Sequence, residues 1–277
     1  MSWILHERAR EYYWKGTGQL SIKTFFGGRA HYRIGSGYHA VDQFSYLVLN
    51  DGQSYEIDID SQQPVESFCL FFAPGLAKEV QQSLSVKSER LLDRSASDNA
   101  APPIRFFEKN YSHDQVLSPA LFRLRNSYAK QERGWLVEQL HGIVERLLKV
   151  HELVSRETER LDNVRPATRE ELYRRACRAR DYASAMFAEP VTLSEFARVA
   201  CLSPNHLLRT FRQIFQETPH QFLITRRLEE AKRLLLRDDL SVTEVCLAVG
   251  FESLGSFSTL FRKRFGISPS EYRDTKK

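Results

Sequence analysis

Between residues 54 and 60 apolar and polar positions alternate strictly, Tyr55, Ile57 and Ile59 against Glu56, Asp58 and Asp60. That period of two belongs to an extended strand with one face buried. Similar short apolar runs predict strands near 29–34, 43–49, 54–59 and 66–73. Asn50-Asp51-Gly52, set between two of them, predicts a hairpin, because Asp-Gly suits a tight turn that needs positive φ. Several short strands separated by turns predict a small β-barrel or sandwich.

From about residue 83 to 115 the chain is polar and irregular, and "SASDNAAPP" predicts an exposed loop. Helical periodicity follows. Ser118-Pro119 reads as a cap with proline at the first helical position, opening a helix to about residue 131. A second helix, about 134–155, carries Leu136, Leu140, Ile143, Leu147, Val150 and Val154 at alternating spacings of four and three, a heptad seam. The seam can pack on the β domain or join two chains, and Val137, Val144 and Leu148 add a second apolar strip; both readings stay open. Residues 155–167 lose the periodicity and include Pro166, which predicts a boundary between a domain over 1–160 and another over 166–277.

Beyond that boundary helix-start signals recur. Thr168/Glu171, Thr192/Glu195, Ser241/Glu244 and Ser268/Glu271 have the S/T-x-x-E form of a capping box, and Thr218/Gln221 is a variant of it. "TLSEFARVACLSPNHLLRTFRQIFQETPHQF" and "SVTEVCLAVGFESLGSFSTLFRKRFGISPSEY" then share one plan: capped helix, short turn, second helix, and a closing phrase that runs "FRQIFQETPHQF" in one copy and "FRKRFGISPSEY" in the other. Helix, tight turn and helix predict two helix-turn-helix units, over 192–215 and 241–265.

Charge sharpens this picture. Residues 166–277 hold 19 Lys and Arg against 14 Asp and Glu, whereas residues 1–165 hold 21 of each. The basic excess therefore sits with the repeated helical units, as a DNA-binding module requires. Within the second helices, arginine can pair doubly with guanine, asparagine with adenine, and other cations can neutralise phosphates. The candidate DNA-contacting residues are Ser203, Asn205, His206, Leu208, Arg209 and Arg212 in the first unit. In the second they are Ser253, Leu254, Gly255, Ser256, Ser258, Thr259, Arg262 and Lys263. Ser203 and Ser253 stand where helix-start N–H groups can hold a phosphate, and Leu208 and Leu254 suit a thymine methyl group or no base at all.

The four cysteines, Cys69, Cys177, Cys201 and Cys246, lie far apart beside apolar neighbours, without C-x-x-C pairing, and predict no zinc site. "MSWILHERAREYYWKG" lacks the apolar run of a signal peptide, and no stretch reaches membrane-span length, so the expected location is cytoplasmic.

The double unit resembles the DNA-binding domain of the AraC/XylS family of bacterial transcription regulators. The resemblance rests on about the last hundred residues and most specifically on Ala248, Gly250-Phe251, Ser256, Phe257, Phe261-Arg262, Phe265-Gly266, Pro269 and Tyr272-Arg273. It implies an α+β two-domain chain: a cupin-like β-barrel with following helices that dimerise, then an all-α domain whose two helix-turn-helix units are joined by a linker helix, here about 222–237. Cys201 departs from the family, standing where the first turn commonly has glycine, so a differently built turn is expected there.

The resemblance implies double-stranded DNA as partner, with a small-molecule effector, RNA polymerase and a second copy of the chain as further candidates. No motif marks effector residues; Arg29, His31, Tyr32, Tyr38, His39 and Tyr55 are candidates as polar or amphipathic groups on or near strands. His31 and His39 lack metal-ligand grouping, and Cys69 has no histidine partner in sequence, so neither metal nor cofactor nor enzymatic activity is expected. The alternative is a cupin-barrel enzyme or ligand-binding protein that carries a helical accessory domain.

Overall fold

The computed structural model describes residues 1–35, 37–85, 104–161, 165–237 and 240–274. The loop expected at "SASDNAAPP" lies outside them. The chain divides into two compact units, Met1–Asp162 and Asn163–Lys277.

The first unit is a seven-stranded antiparallel sheet: β1 (Trp3–Gly18), β2 (Ser21–Phe26), β3 (Ala30–Ile34), β4 (Gly37–Val41), β5 (Ser45–Leu49), β6 (Gln53–Phe71) and β7 (Asn110–Ser112). β6 is the spine, pairing with β1, β2 and β3, while β5 joins β2 to β7 and β4 joins β3. The Asn110 amide donates to the Ala40 carbonyl at 2.9 Å, linking the two end strands and nearly closing the sheet into a barrel.

The long β1–β6 ribbon shapes its interior. Trp3 and Ser21 both register with Phe71, and Gly18 registers with Gln53, so the ribbon curls until its two ends meet near residues 18–21. The curl falls where the register shifts between Ala9 and Glu11, opposite residues 61–64 with Pro64 among them. A strand interruption of this kind adds twist and lets a proline sit without a lost ladder bond. It also resets the parity of β1: Trp3, Leu5, Glu7 and Ala9 point inward before it, Tyr12 and Trp14 after it.

β1 is absent from the pattern-based reading because its outer positions are charged and its parity changes midway; β2, β4 and β7 were also missed. The two strands expected at 54–59 and 66–73 are one, since pairing with β1 resumes past the interruption. The expected Asn50-Asp51-Gly52 hairpin is corrected. The turn forms, with Gly52 at φ 71°, but β5 and β6 do not pair: β2 lies between them, and the Gly52 amide donates to Gly18. Asn50 is instead buried and exchanges two hydrogen bonds with Phe106, at 3.0 and 2.8 Å.

Helices α1 (Leu76–Ser85), α2 (Ser118–Ser127) and α3 (Arg133–Glu159) complete the unit. Ser118 is not the cap. Asp114 accepts from the Val116 and Leu117 amides at 2.7 and 2.6 Å, and the Ser118 hydroxyl accepts from the Asp114 amide. Glu66 ties α2 to the ribbon by receiving Arg125 at 2.6 Å, His6 at 2.9 Å and Arg8 at 3.0 Å. Those three donors, Arg125 foremost, hold its carboxyl down at about 2 against the opposing cost of burial.

The heptad seam on α3 serves its own chain. Leu140, Ile143, Leu147, Val150 and Val154 are buried, Leu136 half-buried, and α3 packs along α1 and α2. The seam thus packs within the chain, while Val137 of the second strip and Leu153 stay exposed on α3.

The second unit is all helical: α4 (Pro166–Ala185), α5 (Leu193–Val199), α6 (Pro204–Phe215), α7 (Pro219–Leu234), α8 (Val242–Ala248), α9 (Leu254–Phe265) and α10 (Pro269–Asp274). Capping boxes form at Thr192, Thr218 and Ser241, and Ser268 and Glu271 exchange the same pair of bonds. Thr168 does not cap: Pro166 opens α4 earlier, and Glu171 pairs forward with Arg175 at 2.8 Å.

Two outcomes follow. Leu147→Asp should cost more than about 3 kcal/mol by burying an unpaired charge, seen as a lowered Tm, rather than yielding a folded chain with altered sedimentation. The Glu66 network stabilises fully above pH 4.5, the ordinary value of a glutamate carboxyl, and its contribution fades as pH falls toward about 2, because the unfolded chain then binds the proton more tightly than the folded one. Glu66→Gln should therefore lose about 2 kcal/mol at neutral pH and flatten the acid limb of the stability curve.

Candidate nucleic-acid interface and barrel cavity

The repeated phrase is a helix stop and restart. α6 ends at Phe215 with Gln216 left-handed at φ 59°, and α7 begins at Pro219; α9 ends at Phe265 with Gly266 left-handed at φ 83°, and α10 begins at Pro269. Left-handed caps release the last carbonyls of a helix to the following amides.

The turns inside the two units are also built alike. The Cys201 and Leu202 amides donate to Arg198 and Ala197, as the Gly250 and Phe251 amides donate to Leu247 and Cys246. Cys201 adopts φ 51° where Gly250 has 86°, so the expectation of a different first turn is corrected. The cysteine fits because the position is exposed. At Gly250 a Cβ would lie 2.5 Å from the Ala188 carbonyl oxygen, which only glycine avoids.

One apolar core serves both units. Phe196, Leu207 and Phe211 of the first and Val245, Val249, Phe257 and Phe261 of the second join Leu223, Leu228, Ala231 and Leu235 around the linker helix α7. Arg227 of α7 donates to the Phe187 and Glu189 carbonyls at 2.6 and 2.8 Å, fastening the segment on which Gly250 rests. The linker was expected at 222–237; Pro219 and the Thr218 box start it earlier.

Opposite this core, α6 exposes Asn205, Arg209 and Arg212, with His206 and Leu208 half-buried, while Leu207, Thr210, Phe211 and Ile214 face inward. On α9, Leu254, Gly255, Ser256, Thr259, Arg262 and Lys263 are exposed, Ser258 is half-buried, and Phe257 and Phe261 are buried. Ser203 and Ser253 cap these helices, accepting from the His206 and Ser256 amides at 3.4 Å. Among the described residues the side chains of Arg209, Arg212, Arg262 and Lys263 make no hydrogen bond or ion pair, whereas the adjacent Arg264 pairs with Glu229 at 3.5 Å. The Thr259 hydroxyl donates to the Gly255 carbonyl at 2.9 Å, which directs its proton into its own helix. A Cβ at Gly255 would meet only the Ser253 Oγ, at 3.8 Å, an ordinary contact, so no clash among the described residues requires glycine there.

The first unit holds a cavity of about 370 Å³ inside the curled ribbon. Trp3, Trp14, Phe25, Tyr32, Tyr55 and Phe71 wall it, and Lys23 reaches into it. Of the effector candidates Tyr32 and Tyr55 line this space. Arg29 pairs with Asp42 at 3.5 Å, His31 and Tyr38 share a 2.9 Å hydrogen bond, and His39 is buried on β4. Lys23 went unnoticed in the sequence, although a lysine inside the apolar run "SIKTFF" was the available signal. Burial pushes it down to about 8.

Among the described residues no group of three or more His, Cys, Asp and Glu could hold a metal ion, and no helix is long and apolar enough to cross a membrane.

A fold with two helix-turn-helix units on one core defines a class of DNA-binding domain, and comparison with known proteins places it. A family profile described as a helix-turn-helix domain matches residues 196–275. The transcriptional regulator ArgR of Pseudomonas aeruginosa is 34% identical over 89 residues, 32% of this chain and 27% of that protein. The regulator CdhR of the same species is 43% identical over 84 residues, 30% of this chain and 25% of that protein. The solved C-terminal domain of AraT, a response regulator from Geobacillus stearothermophilus, is 34% identical, over 36% of this chain and 84% of that one, with a TM-score of 0.35. The helical unit is thus similar to the helix-turn-helix domains of transcriptional regulators. It spans only about a quarter of the length of the two curated relatives.

The two turns differ in tolerance. Gly250→Ala should cost about 2–4 kcal/mol through clash and left-handed strain, while Cys201→Gly should be neutral or stabilise by up to about 1 kcal/mol; chemical denaturation of both variants compares them.

Proposed function

We propose that the chain is a transcription regulator whose helical unit binds promoter DNA sequence-specifically and whose barrel senses a small molecule. The observation that carries the reading is the pair of exposed, cation-bearing helix faces fixed on one shared core. Two recognition helices held by a linker helix can enter successive major grooves about one helical turn apart, and a rigid core makes that spacing a property of the protein. The profile match and the curated relatives, both transcriptional regulators, support it.

The two faces divide the work. α6 offers Asn205 and Arg209, side chains able to pair doubly with base edges, and Arg212 follows one turn on. α9 offers small groups at its start and Arg262 and Lys263 at its end, suited to close approach and phosphate neutralisation. Ser203 and Ser253 stand where the helix starts can meet phosphates. Within the barrel unit the walled cavity, of a size that holds small ligands, supports the sensing role.

A mobility-shift series with promoter fragments from the protein's own genomic neighbourhood tests the reading; absence of sequence preference at moderate salt would refute it. Arg209→Ala should cost about 1–3 kcal/mol on the preferred site and relax preference at one base pair, whereas Lys263→Ala should weaken all sequences alike and reduce the salt slope by about one.

A further inference from the structure

Lys23 stands out among the groups that the DNA-binding reading does not use. It is 2% exposed at the centre of β2, and its ammonium group borders the barrel cavity. Among the described residues its ammonium group makes no hydrogen bond and no ion pair. Its neighbours are aromatic: Nζ lies 3.6 Å from the Phe71 ring centroid and 5.6 Å from that of Tyr55. Cation–π contact offsets only part of the cost of taking an ammonium out of water. A buried cation normally has an anion beside it.

Among the described residues the chain supplies none. Cys69 registers opposite Lys23 on β6, yet burial pushes its thiol up and keeps it protonated. Burial pushes the Tyr55 hydroxyl up to about 12 and that of Tyr32 well above its ordinary value. Glu7 lines the cavity from β1 but is an exposed residue, and it is not among the charges that act on Lys23. Apart from Thr17, Gln19 and Ser67, the rest of the wall is apolar, with Trp3 stacked on Phe71 at 3.8 Å and Trp14 against Tyr55 at 4.7 Å.

We propose that the barrel cavity binds a small monocarboxylate with an apolar body, its carboxylate paired with Lys23 Nζ and its body held among Trp3, Trp14, Tyr55 and Phe71. The assignment deepens the sensor reading and rests on that reading only for its consequence on DNA. It accounts for a lysine where a methionine would fill the same space without desolvating a charge.

The test is calorimetric titration of the full chain with octanoate, 4-phenylbutyrate and 2-naphthoate, each paired with its neutral primary amide. At least one acid should bind about tenfold or more tightly than its amide. In Lys23→Met that preference should collapse to about twofold or less, with amide binding kept, and the ligand-free variant should melt higher than the wild type. In the wild type, acid affinity should fall as pH rises above about 8 while amide affinity stays level, a readout that needs no variant. Equal binding of acids and amides, a preference that survives Lys23→Met, a lower Tm for that variant, or no binding by any of the six compounds would each overturn the proposal. Acid binding through Lys23 that leaves DNA affinity unchanged would uphold this site and refute the sensor reading instead.

Discussion

The helical unit depends on one close approach. Gly250 lies so near the Ala188 carbonyl that no side chain fits between them, and Arg227 grips the same segment through the Phe187 and Glu189 carbonyls. Together they lock the second helix-turn-helix unit to the linker helix and so to the first. The shared apolar core then makes the orientation of α6 relative to α9 a packing constraint, resistant to change because close-packed interiors deform little. A reader of two grooves needs that stiffness, since any looseness between the helices would be lost as binding entropy.

The two copies of the unit obey the same backbone rules with different side chains. Left-handed positions fall at Cys201 and Gln216 in the first copy and at Gly250 and Gly266 in the second. A non-glycine residue there carries strain of roughly 1–2 kcal/mol, and the first copy tolerates it where space allows. The second cannot tolerate it at Gly250. Family signature and steric necessity coincide in that copy for this reason, while the first is free to vary its turn and keep Asn205 and Arg209 on its outer face.

In the barrel unit the organising event is the curl of the β1–β6 ribbon. An interruption opposite Pro64 turns both strands, brings their ends together and gathers aromatic side chains from positions 3 to 71 around one space. Lys23 is buried there at an energetic cost that its cation–π contact with Phe71 offsets only in part. Glu66 shows the opposite arrangement, a carboxylate with three donors, and it holds α2 against the ribbon.

Local signals told most about the helical unit. Capping boxes, the proline starts after each repeated phrase and the 3.6-residue apolar period of α6 and α9 all act within a few residues, so the sequence by itself determined the helices, their pairing into two units and which faces lie outward. Thr168 and Ser118 misled because a neighbouring proline or aspartate had already set the helix start. Other features depended on residues far apart in the chain. The Asn50-Asp51-Gly52 turn looks like a hairpin until β2 is found between its strands, and the seam from Leu136 to Val154 has no assigned packing partner until α1 and α2 are found along it. The cavity joins Trp3 to Phe71, and the status of Lys23 is set by what surrounds its ammonium group. Only the tertiary structure decided these, because strand order, burial and the local dielectric come from long-range pairing, which short-range periodicity does not encode.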